Sequence, residues 1–185
     1  MTATKKIHIV PIQFHDSFLL DSLSLYLART FGMSAEVENK PINIKAAYDP
    51  LRNQYNSSYL LAQLIEDPRE DAGRILGVCS FDLFIPILTF VFGEAQLEGI
   101  GAVVSAYRLR NEFYGGQSDK QLLMERLLKE ATHELGHTFN LYHCHNPGCV
   151  MTSSVYVEDI DEKSARFCRE CVRNVLGHSV AKHND

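Results

Sequence analysis

The chain predicts an α/β fold built on a mainly parallel sheet, and three observations point that way. Short apolar, β-branched runs alternate with longer stretches of helical periodicity through the first two thirds of the sequence, the pattern of strands joined by crossover helices. The 185 residues fall in the range of one domain, and 45% hydrophobic against 22% charged residues leaves enough apolar side chain for a core. No internal repeat or low-complexity tract interrupts the alternation.

The elements follow in order. Residues 7–11 (IHIVP) read as a buried strand. Residues 16–31 carry Phe18, Leu19, Leu23, Leu27 and Phe31 at helical spacing, and Gly32 supplies the stop. Residues 36–44 alternate as a second strand, with Pro41 marking an interrupted or edge position. Ser57–Ile65 is a second helix, closed by the Asp67-Pro68 pair. Residues 75–79 and 83–85 make a third strand region, and 89–92 and 102–107 give two more with the loop 93–101 between them. The longest helical pattern comes next, opened by Ser118 with Gln121 as a capping box and continued by Leu122, Leu123, Leu127 and Leu128. After His143 the texture changes to cysteines, Asn146-Pro147-Gly148 and a Ser/Thr patch, then a short helix over 164–176 and a frayed tail at 181–185. The organisation is therefore an α/β part, residues 1–143, and a loop-rich C-terminal part, residues 144–185.

Composition excludes several classes. A net charge of -5, with 18 basic against 23 acidic residues and no basic block, argues against a nucleic-acid grip. The longest apolar run, LFIPILTFVF, contains Pro86 and is too short to span a bilayer. The amino terminus lacks an apolar stretch followed by a small-residue cleavage site, so the expected location is cytoplasmic. In that compartment the five cysteines are thiols or thiolates, and four of them crowd into residues 144–171, which points to metal before disulfide.

Residues 133–143 read HELGHTFNLYH. On a helix, His133 and His137 stand one turn apart, about 40° in azimuth and about 6 Å in rise, so both imidazoles can reach one ion at about 2.0–2.1 Å. Glu134 lies beside the first histidine, placed to polarise a water instead of ligating. A continuing helix would turn His143 about 120° away, so a third ligand there requires the helix to end first. Asn140 sits where that break is needed, asparagine being second to glycine for a left-handed helix end. Three ligands with an open position is the catalytic zinc pattern, whereas structural zinc usually has four protein ligands. An amphipathic helix with incidental histidines would need a coincidence of about one in a thousand.

Cys144, Cys149, Cys168 and Cys171 form two close pairs that suit a tetrahedral zinc at about 2.3 Å. Disulfides or a redox CxxC at Cys168 and Cys171 are the rivals, and His145 is a less favoured substitute ligand. Cys79, in a strand, reads as a small buried hydrophobe. A zinc at Cys144 would brace His143, the residue directly before it.

The run HELGHTFNLYHC, then Cys149-Val150-Met151, then Cys168-Arg169-Glu170-Cys171, resembles the archaemetzincin family of zinc metallopeptidases. The resemblance covers residues 133–171. It implies His133, His137 and His143 as catalytic zinc ligands, Glu134 as general base, Met151 as the methionine of a turn beneath the metal, and the four cysteines around a structural zinc. Two zinc ions per chain follow. It also implies a metzincin-like twisted sheet of four parallel strands plus an antiparallel edge strand, with helices and a small zinc-stapled C-terminal segment. Metzincins generally carry glycine where this chain has Asn140, which can adopt the same backbone.

The expected chemistry is metal-assisted hydrolysis of a peptide or protein substrate, with Glu134 moving the proton. An extended substrate would pair with an edge strand, for which residues 89–96 (TFVFGEAQ) are a candidate, although 89–92 read equally well as a core strand. Tyr156 is an oxyanion donor or, more safely, a surface tyrosine. Specificity would live in loops such as 111–118 and 152–160. The rival class is a zinc-stabilised peptide- or protein-binding module with little or no turnover, which an intact Glu134 and an open coordination position argue against. Oligomeric state leaves no signal in the sequence.

Overall fold

The computed structural model of the chain describes residues 4–181; residues 182–185, part of the tail expected to fray, lie outside it. Strand β1 (Lys6–Ile12) leads to helix α1 (Ser17–Phe31), which Asp16 caps by accepting from the Leu19 N–H and Gly32 ends at φ 65°. Strand β2 (Ala35–Val37), the short helix α2 (Ile44–Ala47) and strands β3 (Tyr48–Asp49) and β4 (Gln54–Asn56) precede helix α3 (Ser57–Ile65). Strands β5 (Ala72–Cys79), β6 (Leu83–Phe84), β7 (Gly93–Ala95) and β8 (Gly101–Ser105) follow. A 3-10 turn, Asn111–Tyr114, precedes the long helix α4 (Lys120–Thr138), and helices α5 (Val157–Glu162) and α6 (Arg169–Ala181) close the chain.

Five strands form one sheet in the order β2-β1-β5-β8-β7, the first four parallel and β7 antiparallel at the edge. This is the mixed sheet that the resemblance implied. Strands β3, β4 and β6 form a separate three-stranded sheet. Side chains alternate across the main sheet, so Ile7, Ile9, Leu76, Val78, Ala102 and Val104 enter one core, and Val10, Ile12, Ile75, Cys79 and Val103 the other. The first core takes in α1 and α4 through Leu23, Leu27, Leu127, Ala131 and Leu135; the second takes in α3 through Leu60, Leu61 and Leu64. Cys149, Val150, Met151 and Ile160 sit in the first core, packed with the same helices. That core is what holds α4 rigid beneath the edge of the sheet.

Four sequence expectations change. Residues 36–44 are strand only to Val37: Glu38 N–H still reaches Ile9 O at 2.9 Å, but Pro41 has no N–H to continue the ladder and α2 begins at Ile44. Residues 89–92 are not a strand, since only Val91 bridges to Leu83, and the edge strand β7 lies inside the expected loop 93–101. Helix α4 is capped by Asp119, whose Oδ1 accepts from Leu122 N–H at 2.9 Å, whereas Ser118 hydrogen-bonds Glu112; a carboxylate gains more than a hydroxyl from the helix dipole. The last helix starts at Arg169 instead of 164, and α5 was not expected at all.

Candidate metal centre and active-site cleft

Helix α4 ends in a full Schellman turn. Leu141 N–H reaches back to Gly136 O at 3.3 Å, Asn140 N–H reaches His137 O at 3.0 Å, and Asn140 takes the left-handed conformation at φ 62°. The chain then returns to the helix, so His143 joins His133 and His137. One ligand atom from each of the three lies within 4.8 Å of the others. The turn also points the Leu141 carbonyl at the His137 ring, 2.7 Å from Nδ1, and the Val150 carbonyl stands 2.9 Å from His133 Nδ1.

Those two contacts fix the protons. A carbonyl only accepts, so each Nδ1 carries the hydrogen and each Nε2 keeps its lone pair. The two Nε2 atoms are 3.1 Å apart. Two lone pairs at that distance repel unless a cation lies between them, and tetrahedral zinc would set the pair about 3.3 Å apart. Burial holds all three histidines below their ordinary value, with Lys163 adding to the effect, so they are neutral and competent to ligate. The donor set therefore fits a zinc ion.

Glu134 lies one residue beyond His133 and is 7% exposed. Burial raises its carboxyl well above the ordinary range, and Glu130 one turn earlier adds like charge. A dication held by the three imidazoles pulls in the opposite direction. These four residues line a cleft of about 610 Å³ bounded by the 88–95 segment, Leu97, Tyr142 and residues 153–155. Loop 152–160 thus contributes to the cleft and loop 111–118 does not. Tyr156 is exposed, and the lining stops at Val155.

Met151 is fully buried under α4. A Cβ at Gly136 would come 2.4 Å from its sulfur, so the glycine between the two helical histidines is what admits the methionine. Met151 O in turn accepts from Cys144 N–H at 2.9 Å.

The four cysteines Cys144, Cys149, Cys168 and Cys171 are all free, with their sulfurs within 4.8 Å of one another. Cys144 and Cys168 Sγ are 3.9 Å apart, against about 3.8 Å across a tetrahedral zinc. Asn146 N–H points at Cys144 Sγ (3.5 Å) and Cys168 N–H at Cys149 Sγ (3.3 Å), as donors do toward thiolates. Cys168 precedes α6, where the N–H of Cys171 draws its thiol down to about 7, while burial pushes Cys149 and Cys171 up. His145 is not in the converging group. Cys79 is fully buried with its thiol pushed up to about 12, as a core residue should be.

A family model described as Peptidase family M54 matches residues 41–176, well over half of the chain. The chain belongs to peptidase family M54. It is a zinc metallopeptidase, with the archaemetzincins as its relatives. The archaemetzincin of Methanocaldococcus jannaschii is 38% identical over 97% of this chain and 98% of its own length. The crystal structure of archaemetzincin from Methanopyrus kandleri matches with a TM-score of 0.83 at 35% identity, over 96% of each chain. The zinc-dependent peptidase from Methanocorpusculum labreanum matches with a TM-score of 0.80 at 32% identity, over 91% of this chain and 99% of that one.

Two features of this M54 chain were missed in its sequence. Lys163, 1% exposed, makes an ion pair of 2.8 Å with buried Glu130 and also donates to Thr152 O, tying the C-terminal segment to α4 beside the histidines. Glu130 precedes Glu134 by one turn, a spacing that could have been noticed; nothing local marks its partner. His8, fully buried, stands among Glu36, Glu38 and Asp71, where Lys6 and Arg69 already supply the positive charge. Among the described residues no helix is long and apolar enough to cross a membrane.

Proposed function

We propose that this enzyme hydrolyses peptide bonds with Glu134 as general base and that it holds two zinc ions. His133, His137 and His143 hold the catalytic zinc; Cys144, Cys149, Cys168 and Cys171 hold the structural one. The observation that carries this reading is the convergence of three Nε2-bearing imidazoles and one buried carboxylate in a single cleft beside a free sheet edge.

Zinc at the histidines supplies Lewis acidity, lowering the pKa of a water and polarising a carbonyl. Glu134 accepts the proton of the attacking water and returns it to the leaving amine. Its burial keeps the carboxylate poorly solvated and therefore basic. Strand β7 pairs with β8 on one side only, so its outer peptide groups can align an extended substrate antiparallel or parallel to the strand. Met151 supports the histidines from below through Gly136, and Asn140 ends the helix so that His143 can turn in. The C-terminal part, 144–185, acts as the zinc-stapled unit that anchors His143 through its neighbour Cys144. Four thiolates on one zinc suit the reducing conditions of a cytoplasm.

The test is Glu134→Gln, with zinc content measured by elemental analysis and hydrolysis read on a fluorogenic peptide library. Two zinc ions retained with hydrolysis lost supports the assignment; hydrolysis at the wild-type rate sinks it.

A further inference from the structure

We propose that Gly93 is a positioning residue for this reaction: the absence of a side chain there is what lets the Glu134 carboxylate seat against the edge strand. The inference rests on the reading of Glu134 as the base. A Cβ at residue 93 would fall 2.6 Å from Glu134 Cγ and 2.8 Å from Cδ, and 2.7 Å from Val103 O. Carbon atoms in folded proteins do not approach so closely. The glycine is not there for its backbone, because the positive-φ glycines among the described residues are Gly32 and Gly115. What position 93 requires is empty space, which the Glu134 side chain and the Val103 carbonyl close off together.

Neither partner can retreat without cost. Strand β7 is held from behind by β8, with Gly93 opposite Val104. The next residue, Glu94, accepts hydrogen bonds from the Ser57 and Ser58 hydroxyls at the first turn of α3, which pins the strand from its other face. On the opposite side Glu134 is flanked by two histidines whose rings are tied to the Val150 and Leu141 carbonyls. An added methyl therefore presses on both the Val103 carbonyl and the Glu134 side chain, and of the two only the side chain can swing away without breaking the β7–β8 pairing. A displacement of about 1 Å from a productive position costs about 10²-fold in rate.

The experiment compares wild type, Gly93→Ala and Glu134→Gln, each with its zinc content confirmed, in titrations with acetohydroxamate. This small zinc-directed ligand needs a carboxylate beside the metal to take its proton. Binding should weaken about 10²-fold in Gly93→Ala, as in Glu134→Gln, with zinc retained. Wild-type affinity in Gly93→Ala overturns the proposal. A second arm needs neither metal nor turnover: the drop in thermal midpoint caused by Gly93→Ala should shrink when Glu134 is already alanine, and an equal drop in both backgrounds overturns it. That arm also covers a Gly93→Ala chain too unstable to purify, since the double variant keeps only the Val103 carbonyl contact and should yield more folded protein than Gly93→Ala alone. If wild type holds no zinc at the histidines, the reading of Glu134 as base fails by itself and the thermal comparison alone decides the packing claim.

Discussion

The histidine cluster and the cysteine cluster suit the same metal, yet they are built in opposite ways. Two of the three histidines come from one regular helix, and the third returns through a single left-handed residue. Two of the imidazoles are aimed by backbone carbonyls, and the cluster opens onto a cleft. The four cysteines come from a loop and the start of α6, and their donors are nearby peptide N–H groups. A rigid frame with an unfilled position suits chemistry, because a ligand can enter without the frame moving. A full set drawn from a loop and the start of a helix suits stapling, because it ties the two segments to each other.

That comparison is broken most severely by removing one thiolate. Cys171→Ser should reduce zinc from two ions to one and lower the thermal midpoint sharply, since structural zinc binding in small domains is worth about 10–16 kcal/mol apparent. Catalytic-zinc affinity should fall as well, about 10–100-fold, through the Cys144 N–H to Met151 O bond and the adjoining His143. Elemental analysis and a chelator competition read both effects; an unchanged histidine site would show the two clusters to be independent. Glu134→Gln is the counterpart on the other side, lowering kcat about 10²–10⁴-fold while both zinc ions remain.

A third substitution sharpens the point where the clusters meet. Gly136→Ala puts a methyl on the Met151 sulfur inside a packed core, and overpacking of this kind costs about 1–3 kcal/mol. Denaturant unfolding measures it. Gly136→Ala combined with Met151→Ala should recover much of the loss, whereas full additivity would mean the contact is not the cause.

Changing the pH separates the histidines from Glu134 in the metal-free protein. The three histidines are held below their ordinary value of 6.5, so below that pH the unfolded chain binds more protons than the folded one, and stability falls as pH falls. Glu134 has the opposite sign: its raised carboxyl makes the folded chain bind more protons above the ordinary value of 4.5, and stability falls as pH rises through that window. Glu134→Gln should therefore leave the metal-free protein at least as stable as wild type at neutral pH and keep the acid-side loss. Thermal midpoints between pH 5 and 8 test this, and a lower midpoint for the variant at pH 7.5 would contradict it.

The same contrast explains what could be read from the sequence. Both clusters were legible because metal ligation demands fixed residue types at short spacing, and Ser57–Ile65 was legible because its apolar period and flanking residues agree. Strand β7 was not: its sequence, GEA, has no β-forming residue, and it is a strand only because β8 pairs with it. Helix α5, VEDIDE, buries only Val157 and Ile160, too few apolar residues to set a period. Lys163 was invisible because its partner Glu130 lies far back in the chain on α4, and Gly93 because its reason is a side chain far along the chain. Pairings within one helical turn are written locally; those across the fold are not.

Asn140 gives the smallest effect and the finest test of the histidine frame. At φ 62° a residue with a Cβ other than asparagine or aspartate pays about 1–2 kcal/mol, so Asn140→Ala should destabilise by about that amount. Asn140→Gly relieves the left-handed strain but adds freedom to the unfolded chain, and the two changes should nearly cancel. Because the turn also sets the Leu141 carbonyl against His137 and brings His143 round, Asn140→Ala should weaken zinc binding at the histidines more than Asn140→Gly does, with the cysteine zinc retained in both. Chelator titration of the two variants side by side reads the difference. Equal zinc affinity in alanine and glycine forms would mean that the ligands hold the turn, and not the turn the ligands.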